Sequence, residues 1–156
     1  MHSGRAAPFV HLHYNTTRAR WVQPDERQIA MNSESRILAM GDDEDIRYII
    51  THALEKIGYQ VLNVESGQEA VRAMASQRFG LAVVDLKMRD LAGQKAVIEM
   101  HRHDPQMRLI IVTGYPDTAI GELRATAQGW LYKPFRLDEL RSLVERVLGG
   151  ARQEEP

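Results

Sequence analysis

The chain has 156 residues, which is enough for one domain with a buried core. Its formal net charge of -1 excludes the strong field typical of proteins that bind nucleic acid or membrane surfaces. The absence of cysteine excludes disulfides, thiolate catalysis and cysteine-ligated zinc. No apolar run approaches the roughly 18 residues of a membrane span, and the N-terminus lacks the apolar core of a secretory signal. We therefore expect a soluble, cytoplasmic protein.

The first 34 residues differ from the rest of the chain, because they show no sustained hydrophobic period. They contain two prolines, three histidines and four arginines. This composition predicts that residues 1–34 form a mostly disordered extension. Residues 35–150 are predicted to form the folded domain, and residues 151–156 a short C-terminal tail. We therefore expect no output domain after the last helix.

From Arg36 onwards, short apolar segments alternate with segments in which apolar residues recur at helical spacing. The five predicted strands are Ile37–Met40, Gln60–Val64, the stretch around Val83, Leu109–Val112 and Trp130–Tyr132. A helix is predicted to follow each of them. This alternation predicts an α/β fold with a doubly wound, five-stranded parallel sheet and five helices on its two faces.

The predicted helices carry start and stop signals. Asp45 is predicted to cap the first helix, and Ser66 to form a capping box with Glu69 at the second. The last helix is predicted to end at Gly149–Gly150. Helical spacing predicts that the first helix buries Ile46, Ile49, Ile50, Ala53, Leu54 and Ile57. The same spacing predicts that the last helix buries Leu137, Leu140, Leu143, Val144, Val147 and Leu148.

The predicted central strand carries the strongest functional signal. The apolar run Leu81–Val84 leads directly into Asp85, as in a strand that is buried on both faces. Ligands bind doubly wound sheets at the carboxyl ends of their strands. Asp85 is therefore a candidate functional carboxylate, and the alternative interpretation is an aspartate that caps the next turn.

Polar side chains stand in the same kind of position after three further predicted strands. They are Asp42 and Asp43, Thr113, and Lys133. Because such strand ends converge on one crevice, we expect these side chains to lie together. Two or three carboxylates suit Mg²⁺. A carboxylate beside a cation, a hydroxyl and a lysine makes a phosphoryl-acceptor site.

These residues resemble those of a known family. Residues 36–149 are similar to the response-regulator receiver domain of two-component signalling, a form of phosphorelay. The match includes the segment Val84–Met88, Gly93 five residues later, Thr113–Gly114 and Lys133–Pro134. The resemblance implies a flavodoxin-like strand order of 2-1-3-4-5. It also implies a phosphoprotein in which a sensor histidine kinase or a phosphotransfer protein phosphorylates Asp85.

The resemblance further implies the roles of the residues around Asp85. The implied ligands of Mg²⁺ are Asp42, Asp85 and the backbone carbonyl of Lys87, with Asp43 as an additional candidate. Thr113 would donate a hydrogen bond to the phosphoryl group, and Lys133 would pair with it. The Lys133–Pro134 peptide bond would be cis. Together with Thr113, Trp130 would act as a switch, because it stands where the family keeps a switching aromatic.

The chain departs from the family pattern at several positions. Aligned without a gap, Gly41 takes the place of the first member of the usual acidic pair, and Asp42 takes the second. Arg89 replaces the usual proline after the methionine. The interval from Thr113 to Lys133 is about two residues shorter than the resemblance leads us to expect, and Trp130 is bulkier than the usual tyrosine or phenylalanine. These departures lie near the face that switches in the family.

The sequence suggests three candidate functions for this protein. The first is a phosphorylated receiver, not an enzyme, whose output is contact with a downstream protein and not with nucleic acid or membrane. The second is a receiver-like adaptor that acts without phosphorylation, which Gly41 and the short fourth helix favour. The third is a phosphatase with an aspartate nucleophile, which is disfavoured because Lys87 occupies the place of its second aspartate. A P-loop enzyme is excluded because its glycine-lysine motif is absent.

Overall fold

The structure, a computed structural model, describes residues 34–87, 91–114 and 121–153. Apart from Glu34, the predicted N-terminal extension lies outside these ranges. Met88, the last residue of the family-like segment Val84–Met88, and the following Arg89 also lie outside them. Within the described ranges, no helix is both long enough and apolar enough to pass through a membrane.

The described residues form one parallel sheet with helices between its strands. The strands are β1 (Arg36–Met40), β2 (Gln60–Val64), β3 (Leu81–Leu86), β4 (Arg108–Thr113) and β5 (Gly129–Tyr132). The helices are α1 (Glu44–Glu55), α2 (Gly67–Ser76), α3 (Leu91–His103), α4 (Gly121–Thr126) and α5 (Leu137–Gln153). The strand order is β2-β1-β3-β4-β5, and every pairing is parallel. The predicted doubly wound, flavodoxin-like fold is confirmed.

The sheet separates two hydrophobic clusters. On one face, side chains of α2, α3 and α4 pack against alternate residues of the strands, such as Val84 and Ile111. On the other face, α1 and α5 pack against the intervening residues, such as Val83 and Val112. Each residue of β1 and of β3 is buried, as expected for central strands of a parallel sheet. This burial fixes β3 firmly and thereby fixes its penultimate residue, Asp85.

Two of the predicted helix signals differ from the structure at α1 and α5. The N-cap of α1 is Asp43 and not Asp45, because the Asp43 carboxylate accepts hydrogen bonds from the N–H groups of Asp45 and Ile46 at 3.0 and 3.3 Å. The α5 helix does not end at Gly149–Gly150 and continues to Gln153. A glycine inside a helix costs about 1 kcal/mol relative to alanine, which lowers the stability of a helix without ending it.

The capping box of α2 forms, but its second hydrogen bond comes from Glu65 and not from Ser66. Ser66 Oγ accepts a hydrogen bond from the Glu69 N–H at 3.2 Å, as predicted. The Glu69 carboxylate accepts from the N–H of Glu65, one residue before the cap, at 3.0 Å. Both contacts occupy N–H groups at the start of the helix that would otherwise lack a partner.

The buried faces of α1 and α5 also depart from prediction. Ile49, Ile57 and Leu137 are exposed, although helical spacing predicts their burial. On α1 the buried face instead includes Arg47 and Thr51. Both polar side chains have hydrogen-bond partners at the end of β1 or on β2, which removes much of the cost of burying them. For Leu137, the position at the very start of the helix explains the exposure.

Candidate functional site

Asp85 lies deep at the carboxyl end of the sheet. It pairs in register with Val112 of β4, and on its other side β1 ends one residue earlier, at Met40, which pairs with Val84. Asp85 is only 2% exposed. Gly41 follows Met40, and a Cβ added there would lie 2.9 Å from the Asp85 Cβ. A larger residue at this position would clash with Asp85, which explains why glycine stands where the family usually has an acid.

Lys133 forms an ion pair with the Asp85 carboxylate. Its Nζ lies 2.5 Å from Asp85 Oδ1. The Lys133 N–H donates to the Thr113 carbonyl at 2.8 Å, and the Lys133–Pro134 peptide bond is cis, as the resemblance implies. The second carboxylate oxygen, Oδ2, is buried and has no hydrogen-bond partner within the part of the chain that the structure describes. One oxygen of Asp85 is thus held by a cation, and the described residues offer the other no donor.

Burial raises the pKa of Asp85 above its ordinary value of 3.8. The hydrogen bond and the charge of Lys133 oppose this rise, whereas the negative charges of Asp43 and Asp42 add to it. Since the net shift is upward, Lys133 does not fully offset the cost of burying the carboxylate. The charged form of Asp85 therefore destabilises the folded protein.

Asp85→Asn should raise the free energy of unfolding near neutral pH, because asparagine keeps the shape of the side chain without the negative charge whose burial raises the pKa of Asp85. The folded-state pKa lies above the unfolded value, so wild-type stability falls as the pH rises from about 4 through the folded pKa. The gain in the variant should therefore shrink as the pH is lowered towards 4.

Urea unfolding in EDTA at a series of pH values measures this gain. Asp45→Asn serves as the control, because it removes an exposed acid from the first turn of α1. A gain for Asp85→Asn that is the same at every pH would show that the charge of Asp85 is not its cause.

The predicted metal ligands lie at the same edge of the sheet. Asp42 is exposed, and its carboxylate lies 3.3 Å from Lys87 Nζ. Lys87 directly follows β3, so its carbonyl is close in sequence to Asp85. Asp43 is a weaker candidate ligand than Asp42, because its Oδ1 caps α1. Among the described residues, no three or more acidic or histidine side chains form a metal-binding group.

The donor set nevertheless fits Mg²⁺, which takes oxygen ligands, keeps several water molecules and needs only one or two carboxylates. Asp85 Oδ2 is a buried oxygen without a hydrogen-bond partner among the described residues, and Asp42 offers an exposed carboxylate. The ion pair of Asp42 with Lys87 is exposed on both sides, and such pairs contribute only about 0–1 kcal/mol. A divalent cation that displaces Lys87 from Asp42 therefore gives up little free energy.

Thr113 and Trp130 lie on neighbouring strands. Thr113 ends β4, is buried, and pairs with Leu86 of β3 and Tyr132 of β5. Trp130 pairs with Ile111 and is partly buried against the cluster on the α2–α3–α4 face. The predicted switch residues thus belong to adjacent strands, two positions apart in register.

Sequence reasoning missed two features of the site. Arg47 is buried and contacts the backbone beside Asp42, and its spacing with Ile50 and Leu54 on α1 is a signal that could have indicated its burial. The side chain of Lys87 pairs with Asp42, whereas only its carbonyl was predicted to take part. No sequence spacing indicates this second contact, because the two residues come from different strand ends.

Residues 37–145 match the family model of the response regulator receiver domain. The chain therefore belongs to the receiver family of two-component response regulators. It is 30% identical over 118 residues to the response regulator receiver protein CpdR of Brucella abortus, covering 74% of this chain and 98% of CpdR. It is 31% identical over 120 residues to the regulatory protein AtoC of Escherichia coli, covering 76% of this chain but 26% of AtoC. The chain thus spans about a quarter of that relative's length.

Solved structures show the same fold. A CheY-like receiver domain from Methanospirillum hungatei superposes with a TM-score of 0.69 at 29% identity, covering 77% of this chain and 98% of that one. The response regulator TrrA of Thermotoga maritima, solved in complex with Mg²⁺ and BeF, has a TM-score of 0.65 at 26% identity. That match covers 72% of this chain and 98% of TrrA.

Proposed function

We propose that this protein is a cytoplasmic receiver whose Asp85 accepts a phosphoryl group, with Mg²⁺, from a sensor histidine kinase or a phosphotransfer protein. Its output is contact with a downstream protein. The observation that carries the proposal is the buried Asp85 carboxylate, which pairs with Lys133 through one oxygen while its other oxygen finds no partner in the described part of the chain. The complex of TrrA with Mg²⁺ and BeF supports the choice of metal for this site.

The transfer step follows from the chemistry of the carboxylate. One oxygen of Asp85 attacks the phosphorus of a phosphohistidine, the phosphorus–nitrogen bond breaks, and its electron pair stays with the imidazole nitrogen. The product is an acyl phosphate on Asp85. Asp42, Asp85 and the Lys87 carbonyl would hold Mg²⁺, which would supply positive charge to neutralise the phosphoryl oxygens. Lys133 supplies a second positive charge, and the Thr113 hydroxyl donates to a phosphoryl oxygen.

The buried position of Asp85 suits a transfer reaction better than hydrolysis. A carboxylate this deeply buried meets a phosphohistidine only when a partner presents it. Lys87 stands where a phosphatase of the aspartate class would carry its acid or base, and an ammonium group does not accept a proton. We therefore propose a phosphoacceptor and not a turnover enzyme.

Incubation with Mg²⁺ and acetyl phosphate, followed by intact-mass measurement, tests the proposal. The wild-type chain should gain the mass of one phosphoryl group, and EDTA should prevent the gain because the metal neutralises the incoming charge. Hydroxylamine should remove the group, since acyl phosphates react with this nucleophile. A wild-type chain that gains no mass in the presence of Mg²⁺ would contradict the proposed function.

A second candidate function is an adaptor that binds its partner without phosphorylation. The specific observation in its favour is Gly41, which removes one acid from the site and lets β1 approach Asp85 too closely for a larger residue. The interval from Thr113 to Lys133, about two residues shorter than the resemblance leads us to expect, also agrees with a reduced response. The two functions differ in whether phosphorylation alters partner binding.

Trp130→Tyr should distinguish the two functions. In a switching receiver, a smaller ring at this partly buried position should enter the space beside Thr113 more easily than tryptophan. The ratio of partner affinities between the phosphorylated and unphosphorylated forms should then rise several-fold, because a ligand shifts an equilibrium only by its differential affinity. Partner binding by both forms is measured calorimetrically. Equal affinities in wild type and variant, with or without the phosphoryl group, would favour the adaptor.

A further inference from the structure

Arg47 has a charged side chain that is almost fully buried. It lies in the first turns of α1 and is only 7% exposed. Its guanidinium reaches from the helix to the end of β1, where Nη1 donates a buried hydrogen bond of 2.7 Å to the Gly41 carbonyl. Gly41 is the residue directly before Asp42, so a buried cation holds the backbone beside a candidate metal ligand.

The surroundings of Arg47 do not resemble those of a stabilising ion pair. Its nearest carboxylate, on Glu65, lies 3.5 Å from Nη2 and is 73% exposed. Its Nε is buried and has no hydrogen-bond partner within the described ranges. A buried charge paired so weakly carries a desolvation cost that one exposed carboxylate does not offset. The strong contact of Arg47 is therefore the one with the Gly41 backbone.

That contact completes the restraint of the turn between β1 and α1. The Gly41 N–H donates to the Val64 carbonyl at 3.3 Å, while Arg47 holds the Gly41 carbonyl. On the other side of Asp42, Asp43 is fixed as the cap of α1. The backbone of Asp42 is thus held between two anchored residues, although its side chain is exposed.

We propose that Arg47 is a positioning residue for Mg²⁺ binding, which acts by fixing the Gly41 carbonyl so that the Asp42 carboxylate faces the site shared with Asp85. This inference rests on the proposed function, since it assigns a role towards the same metal. Arg47 does not contact the ion. With only one member of the usual acidic pair present, Mg²⁺ binding depends more strongly on the orientation of Asp42.

Three variants test the inference. Arg47→Met keeps an unbranched, flexible side chain and removes the donors, whereas Arg47→Lys keeps the charge and a single donating group. Thr51→Val is the matched control, because the Thr51 hydroxyl lies 2.7 Å from both the Arg47 carbonyl and Asn63 Oδ1. It removes the hydroxyl that anchors the middle of α1 and leaves the contact of Arg47 with Gly41 in place.

Two readouts are needed. Calorimetric titration with Mg²⁺ alone should show binding about tenfold weaker in Arg47→Met than in wild type, as for other residues that orient a metal ligand. Arg47→Lys should fall between the two, and Thr51→Val should bind like wild type. In EDTA, the amide NMR signals of Gly41, Asp42 and Asp43 should shift or broaden in Arg47→Met and not in Thr51→Val.

The outcomes separate this inference from the proposed function. A wild type that does not bind Mg²⁺ would overturn the proposed function and this role of Arg47 with it. Wild-type binding of Mg²⁺ that Arg47→Met and Arg47→Lys both match would overturn the positioning role alone. The same loss of affinity in Thr51→Val would also overturn it, because the cause would then be general weakening of α1. If Arg47→Met does not fold, Arg47→Lys with Thr51→Val decides the question.

Discussion

Replacement of Asp85 by Asn should abolish phosphoryl incorporation from acetyl phosphate and from a phosphohistidine donor. The amide nitrogen and oxygen of asparagine are far poorer nucleophiles than a carboxylate oxygen, while the side chain keeps its shape and can still accept a hydrogen bond from Lys133. Asp85 is the penultimate residue of the buried central strand, and it is the only one of the described site acids whose carboxylate pairs with Lys133. Intact-mass measurement and acid-labile phosphate analysis follow the loss.

Asp42→Asn and Asp45→Asn provide controls of different kinds for this experiment. Asp42→Asn keeps the proposed nucleophile and should be labelled more slowly, whereas Asp45→Asn, exposed on α1, should be labelled at the wild-type rate. Labelling of Asp85→Asn to the wild-type level would show that the phosphoacceptor is another residue. The pH series proposed above then reports separately on the charge of Asp85.

Asp42→Ala should weaken Mg²⁺ binding by at least about tenfold, because a magnesium site with one or two carboxylates loses a large share of its negative charge when one is removed. The effect should be larger than in the family members that keep both acids, since Gly41 supplies no side chain. Without metal, the same variant should be no less stable than wild type, because removing Asp42 relieves its repulsion of the buried Asp85 charge.

Calorimetric titration with Mg²⁺ measures the loss, and urea unfolding in EDTA measures the stability. Asp45→Ala is the matched control, because it removes an equal charge from the adjacent turn of α1 and should leave Mg²⁺ affinity nearly unchanged. Equal Mg²⁺ affinity in wild type and Asp42→Ala would place the metal elsewhere. An equal loss in Asp45→Ala would indicate that only the overall charge of the region matters.

The sequence by itself was sufficient to predict the strands, the alternation with helices and the fold. The reason is that a parallel strand buried on both faces consists of consecutive apolar residues, as in the uninterrupted apolar run Leu81–Val84. The likeness to the receiver family then supplied the strand order, which the structure confirms. The candidate site residues follow from the same logic, since each stands at or near the carboxyl end of a strand, and Asp85 and Lys133 indeed meet in an ion pair.

Contacts between distant segments were decided only by the tertiary structure. The distance of 2.9 Å between a Cβ at Gly41 and the Asp85 Cβ depends on how far β1 extends beside β3. The burial of Arg47 depends on the carbonyl it reaches, because a buried guanidinium is tolerated only where acceptors are in place. Likewise, α5 continues through Gly149–Gly150, since the low helix propensity of glycine is a local cost and the helix already packs against the sheet through Leu140, Val144 and Val147.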